Sequence, residues 1–223
     1  VIVTIDGPAG SGKSTTARAV ARRLGFRHLD SGAFYRALTL AALRAGIPVA
    51  HWNALTLPQL SALGVTAHAS GEGHRLLVHG QDVSDAIRSP DVNASVSAMA
   101  RVPAVRQWLL DRLRAAGAGV DLVADGRDMG TIVFPDAEVK IFLTADLAAR
   151  AERRLLQQGS ATPAAEIEAE LRRLAERDRI DSERAAAPLR RPRDATVIDT
   201  TLLSFDEQVD RIVGLVRSRQ AAR

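Results

Sequence analysis

The chain has 223 residues, 46% hydrophobic and 25% charged, enough for one large α/β core or for a core plus a small insert. It has no cysteine, which excludes disulfides and thiolate metal sites, and no run approaching the ~18 apolar residues of a membrane span. Net charge is +4, and with only Lys13 and Lys140 as lysines the pI near 10.5 reflects arginine content rather than a large charge excess. A nucleic-acid binder would more often show a basic stripe with interleaved aromatics, and aromatics here are 4%. A cytoplasmic protein with no membrane and no nucleic-acid partner is expected.

Val1-Ile-Val-Thr-Ile5 is β-branched throughout and reads as a buried parallel strand. Behind it, Gly7-Pro-Ala-Gly-Ser-Gly-Lys-Ser14 fits G-x-x-x-x-G-K-[ST] without a mismatch. Its glycines let successive N–H groups face phosphate oxygens, Lys13 adds a compact positive charge, and the Ser14 hydroxyl suits a magnesium ion. The segment Thr15–Leu24 reads as a helix whose positive N-terminal end faces the same anion. Ala17, Val20, Ala21 and Leu24 form its buried stripe, and Gly25 stops it. A loop that merely turned a strand into a helix would not need Lys13-Ser14 at that spacing, so the chain is expected to bind a nucleoside triphosphate. The candidate cradle is Gly7, Pro8, Ala9, Gly10, Ser11, Gly12, Lys13, Ser14 and Thr15.

Phe26-Arg-His-Leu29 is a short second strand, and Asp30 or Ser31 caps a helix over Ala33–Ala45 that stops at Gly46. Ser31, Tyr35 and Arg36 gather at this strand-to-helix junction, the end where ligands bind in open α/β sheets, and suggest a second anion site. Residues 55–63 predict a short helix. From Gly64 the period changes: Val65–Ala69 and Arg75–His79 predict a hairpin about Gly71–Gly73, with a third short strand at Gly80–Val83. His68, His74 and His79 lack ligand spacing and are expected at exposed strand positions. Helices follow over Asp91–Ala100 and from Pro103, with Ser97 and Arg106 off the apolar pattern.

Val120–Ala124 predicts a strand ending in Asp125-Gly-Arg-Asp128, and Val139–Thr144 predicts another. A helix carrying Arg150, Arg153 and Arg154 is expected to end near Gly159-Ser160, and Thr162-Pro163 to restart a longer one. Most charges of that longer helix read as exposed i,i+4 pairs, but Arg177, Asp181 and Arg184 share one face. Thr196–Asp199 is the last strand, and Ser204-Phe-Asp-Glu207 is a capping box opening the final helix. This βα alternation predicts a P-loop NTPase-type α/β fold, with a parallel sheet wound by helices and a small antiparallel insert. A second anion cluster facing a triphosphate loop suits γ-phosphoryl transfer to a phosphorylated acceptor.

Leu29-Asp-Ser-Gly-Ala-Phe-Tyr-Arg36, Ala124-Asp-Gly-Arg-Asp-Met-Gly-Thr131, Val133-Phe-Pro-Asp-Ala137 and Glu176-Arg-Asp-Arg-Ile-Asp-Ser-Glu-Arg184 carry the closest likeness. With the phosphate loop, they resemble the bacterial cytidylate kinase family of nucleoside monophosphate kinases, in order along the whole chain. The resemblance implies transfer from ATP, with magnesium, to CMP and dCMP, by a monomer. It implies that Ser31, Arg36, Arg127 and Arg184 hold the acceptor phosphate, and that Ser97, Arg106 and Asp128 read the cytosine. Tyr35, Arg177 and Asp181 then lie near the sugar. A helical lid at about 151–165 would bring Arg150, Arg153 and Arg154 over the transferring group, so Lys13, Arg127, Arg150, Arg153 and Arg154 are the catalytic candidates. One kinase domain over 1–223 is expected: a core of about 1–55, 100–150 and 185–223, an acceptor-binding insert of about 56–99, and a lid region of about 151–184. Two alternatives stay open from the residues: another acceptor on the same fold, or a nucleic-acid-binding P-loop protein.

Overall fold

In the computed structural model, which describes residues 1–71, 73–157 and 164–222, the β-branched start forms β1 (Ile2–Asp6). The phosphate loop leads into α1 (Lys13–Leu24), then β2 (Arg27–Asp30) and α2 (Ser31–Arg44). Asp30 is the cap that α2 selects, its carboxylate accepting from Ala33 N at 3.1 Å. After a 3-10 turn at Val49–Ala54 come α3 (Leu57–Ala62), β3 (Val65–Ser70), β4 (Gly73–Val78) and β5 (Gln81–Asp82). A 3-10 turn at Ala86–Arg88 leads to α4 (Pro90–Met99), α5 (Pro103–Gly117) and β6 (Leu122–Gly126). A π-helical turn at Met129–Val133 precedes β7 (Val139–Thr144), α6 (Leu147–Gln157), α7 (Ala164–Glu183), β8 (Thr196–Asp199) and α8 (Phe205–Ala221). Ser204 and Glu207 close the expected capping box on α8.

The large sheet has the order β2-β6-β1-β7-β8, and every pair is parallel. With β1 and β6 central, the loops after β1, β2 and β6 open side by side at the carboxyl edge, where a parallel sheet binds ligands. One face is covered by α1 and α8, whose Val20, Ile212 and Val216 meet Val3, Ile5, Ile141 and Leu143. The other face takes α2, α4 and α5, with Leu38, Met99, Leu109 and Leu113 among its buried residues. The second sheet, β3-β4-β5, is antiparallel and is the predicted insert. Its β3 is mostly exposed, while Leu76 and Val78 of β4 anchor it to the α2 side of the core. A smaller cluster of Ala9, Ala151 and Leu174 seats α6 and α7 on the phosphate loop.

Two expectations need correction, and one turn has no counterpart in the sequence pattern. The strand predicted over Val120–Ala124 runs two residues later, so Asp125 and Gly126 are strand residues; β6 takes its register from β1, pairing Ile5 with Asp125. His74 is half-buried, not exposed: its ring tilts against Phe34 at 6.2 Å between centroids, and its Nδ1 lies 3.3 Å from the His28 carbonyl. The π-helical turn after Asp128 was not foreseen, because what shapes it is a distant carboxylate, Asp6. The expected break near Gly159–Pro163 lies outside the described residues. No helix among the described residues is long and apolar enough to cross a membrane.

Candidate active site

The phosphate loop is shaped by its own polar groups. Gly12 stands before α1 with a left-handed φ of 84°, and no side chain caps the first-turn N–H groups, an arrangement that receives an anion. Ser11 Oγ donates to the Pro8 carbonyl at 3.1 Å, and Lys13 Nζ donates to the same carbonyl at 2.5 Å. Burial, Arg127 and Arg177 together hold the Lys13 ammonium well below the ordinary lysine range. Asp125 and Asp181 offset this only in part, so a phosphate entering the loop would relieve the penalty.

Across the loop, Ser14 Oγ donates to Asp125 Oδ2 at 2.5 Å. Asp125, the next-to-last residue of β6, is 2% exposed, and its Oδ1 lies 2.7 Å from His28 Nε2. A hydroxyl and a carboxylate meeting beside a phosphate loop match the hard oxygen donors that magnesium takes, one carboxylate with phosphate oxygens and water completing the shell. No group of three or more His, Cys, Asp or Glu among the described residues could cage a metal by itself. Asp125 was not among the candidates from sequence. The only signal was a short apolar strand ending in an acid, too common to select it alone.

The cavity that starts at Lys13 and Ser14 has a volume of about 450 Å³ and extends past Ser31, Tyr35 and Arg36 to Ser97, Arg106 and Asp128. Gly126 lets two walls approach: a Cβ there would come within 2.5 Å of Ser31 Oγ and 2.9 Å of Met129 Cγ. Beyond it, Arg127 Nε donates to Asp181 Oδ2 at 2.8 Å. Arg177, Asp181 and Arg184 turn into the cavity from α7 and its end, as their spacing predicts. Arg177 Nε and Arg184 Nη2 are buried without a hydrogen-bond partner, so this wall holds spare donors for an acceptor that enters. Asp128, 4% exposed, is ion-paired to Arg106, whose guanidinium lies 5.6 Å from the Tyr35 ring centre. Tyr35 therefore sits with Arg106 and Asp128, while Arg177 and Asp181 gather round Arg127.

Cations crowd this cavity. Burial lowers Arg36 and Arg177 each to about 10, with Arg154 and Arg127 adding repulsion to both. Burial also lowers Arg184, and Arg106 lowers it further. Burial alone would raise the Asp181 carboxyl, but Arg127, Arg177 and Arg184 hold it below the usual range. Arg36 is tied down by Asn93 Oδ1 at 2.6 Å and the Ile87 carbonyl at 3.3 Å, both from the insert side.

Of the three α6 arginines, Arg153 and Arg154 line the cavity, Arg153 bonding Thr200 and Arg154 lying 3.4 Å from Glu170. Arg150 does not reach it. Its guanidinium is buried under the phosphate loop, on Ala9 O at 2.9 Å, Ala145 O at 3.0 Å and Asp178 Oδ2 at 2.6 Å. Beneath the floor, Asp6 accepts from Met129 N at 2.9 Å and Gly130 N at 2.7 Å, hooking the π-helical turn to the end of β1. It is fully buried, and burial raises its carboxyl to about 6 despite those two bonds.

A family model described as cytidylate kinase matches residues 3–218. The bifunctional pantoate ligase/cytidylate kinase of a Synechococcus species is 48% identical over 224 residues, covering 98% of this chain and 46% of that protein. The chain thus spans about half the length of such bifunctional relatives. The cytidylate kinase of Vibrio cholerae is 44% identical over 218 residues, covering 98% of this chain and 96% of its own. A crystal structure of an uncharacterized protein from Eubacterium ventriosum shares the fold at a TM-score of 0.52 and 12% identity, with 98% and 99% of the two chains covered. With a family match over nearly its whole length and close relatives on either side of it, the chain belongs to the cytidylate kinase family.

Proposed function

We propose that the protein transfers the γ-phosphoryl group of ATP to CMP and dCMP, giving ADP with CDP or dCDP. The observation that carries this is one cavity with a buried lysine and an uncapped helix start, Lys13 and the end of the phosphate loop, on one side and a buried, arginine-paired carboxylate, Asp128, on the other. The cradle Gly7–Thr15 takes the triphosphate, with Lys13 on its outer phosphates. Ser31, Arg36, Arg127 and Arg184 take the acceptor phosphate, and Ser97, Arg106 and Asp128 the cytosine. Tyr35, Arg177 and Asp181 flank the sugar.

Two polyanions must meet, so most of the protein's work is to neutralise charge and align the partners. An oxygen of the CMP phosphate attacks the γ-phosphorus in line. The new O–P bond forms as the bond to the β,γ-bridging oxygen breaks, and no covalent enzyme intermediate is needed. Arg127 is positioned by Asp181 between the two phosphate sites, and Arg153 and Arg154 approach from α6 as the lid region closes. Ser14 and Asp125 would hold the magnesium ion of the nucleotide, which supplies charge neutralisation when bound. Cytosine carries an amino donor where uracil carries a carbonyl, so a carboxylate at 128 accepts from one and repels the other.

The division into core, insert (about 56–99) and lid region (about 151–184) belongs to the same reading, as do action as a monomer and a cytoplasmic site of action. A coupled assay with ATP, magnesium and each nucleoside monophosphate tests the proposal. Turnover with CMP and dCMP far above UMP and AMP is expected. Preference for another monophosphate would remove the acceptor assignment, and no turnover with any would remove the activity.

A further inference from the structure

His28 is a buried histidine that this mechanism leaves unused. It lies on β2, 6% exposed, with Nε2 2.7 Å from Asp125 Oδ1, while Asp125 Oδ2 accepts from Ser14 Oγ at 2.5 Å. A carboxylate only accepts, so the proton sits on His28 Nε2 and the ring donates. The strand fixes the ring's origin: His28 is in register with Val123 of β6, and its carbonyl accepts from His74 Nδ1 at 3.3 Å. Each oxygen of Asp125 therefore has one donor, the His28 ring on Oδ1 and the Ser14 hydroxyl on Oδ2.

We propose that His28 is a positioning residue, holding Asp125 in the orientation that presents Oδ2 to Ser14 and to the metal of the nucleotide complex. The inference rests on the reading of Ser14 and Asp125 as the metal-side pair. Without the ring donor, Oδ1 would be a buried carboxylate oxygen that has lost its partner, close to a second acid, Asp30, that repels it. The carboxylate would turn to recover a donor, and Oδ2 would leave Ser14. Donors behind a metal-binding carboxylate are typically worth about 10–100-fold in metal affinity.

The test measures manganese binding to the ADP complex of the full chain, with protein in excess over ADP, by the water-proton relaxation enhancement that protein-bound manganese shows and small manganese–ADP lacks, beside ADP affinity in chelator. His28→Phe keeps ring bulk and removes the donor; His28→Leu is the second such variant should the first not fold. His28→Gln restores an N–H near the Nε2 position. The expected result is about 10-fold weaker manganese binding for the Phe or Leu variant, metal-free ADP affinity within about 2-fold of wild type, and recovery of most of the loss by Gln. Unchanged manganese binding without the donor would overturn the assignment, as would equal losses with and without metal. A wild-type protein that binds no manganese with ADP would instead overturn the nucleotide-site reading beneath it.

Discussion

Arg150 and Asp178 close on the Ala9 peptide from both sides. Arg150 Nη1 donates to the Ala9 carbonyl at 2.9 Å, Asp178 Oδ1 accepts from Ala9 N at 3.2 Å, and the two side chains join at 2.6 Å. The root of α6 and the middle of α7 are thereby bolted to the phosphate loop, with Ala151 and Leu174 packed alongside. An arginine on α6 can face the cavity or anchor the helix, and in this structure Arg150 anchors it.

Arg150→Ala should accordingly lower stability of the unliganded protein by about 3 kcal/mol, because it strips a partly buried Asp178 of its charge partner. Arg154→Ala, on the cavity side, leaves buried Glu170 its second partner Arg173, so it should cost less stability, about 1 kcal/mol, and lower kcat. Denaturant unfolding and steady-state kinetics on both variants separate the two roles.

Lys13→Ala should keep the fold and reduce kcat by about 10²–10³-fold, the cost of removing one preorganised charge donor from a transferring phosphoryl group. Removing a buried ammonium whose desolvation cost dominates also relieves repulsion with Arg127 and Arg177, so the unliganded variant should melt no lower than wild type. Calorimetric melting and turnover with CMP check both parts.

Asp128→Asn should lower the ratio of kcat/KM for CMP over UMP by at least about 10-fold. The amide offers uracil a donor that the carboxylate lacks, and it weakens the ion pair that sets the Arg106 guanidinium. Parallel kinetics with the two monophosphates read this directly.

Asp6 makes stability depend on pH with an unusual sign for an acid. Its folded carboxyl lies at about 6 against the ordinary 3.8, so between those values the folded state keeps a proton that the unfolded state has lost. Its contribution is fully present below about pH 4 and is lost as pH rises through about 6, on the order of 2–3 kcal/mol in all. Relative to wild type, Asp6→Asn should flatten that fall between pH 4 and 6. Unfolding free energies of the two proteins across this window provide the check.

Gly126→Ala should both destabilise and disarm the acceptor side. The added methyl meets Ser31 Oγ at 2.5 Å and Met129 Cγ at 2.9 Å, so the β6 end must shift, at a cost of about 1–3 kcal/mol. Because Ser31 and Arg127 stand on either side of that shift, KM for CMP should rise more than KM for ATP.

The features legible in the sequence are those set by neighbouring residues. The phosphate loop, the strands over Val139–Thr144 and Thr196–Asp199, the hairpin insert and the Ser204–Glu207 capping box depend on side-chain period, glycine placement and local caps, so a one-dimensional pattern carries them. The shared face of Arg177, Asp181 and Arg184 was legible for the same reason, since helical spacing alone aligns it. Tertiary structure decided what depends on pairing across the chain. The β1–β6 register moved the strand two residues along and brought Asp125 between Ser14 and His28, partners 111 and 97 residues away. Packing of α6 and α7 against the loop turned Arg150 inward to Asp178 while Arg153 and Arg154 kept facing the cavity. A side chain's type is written in the sequence; its direction is chosen by whichever distant backbone or charge arrives beside it on folding.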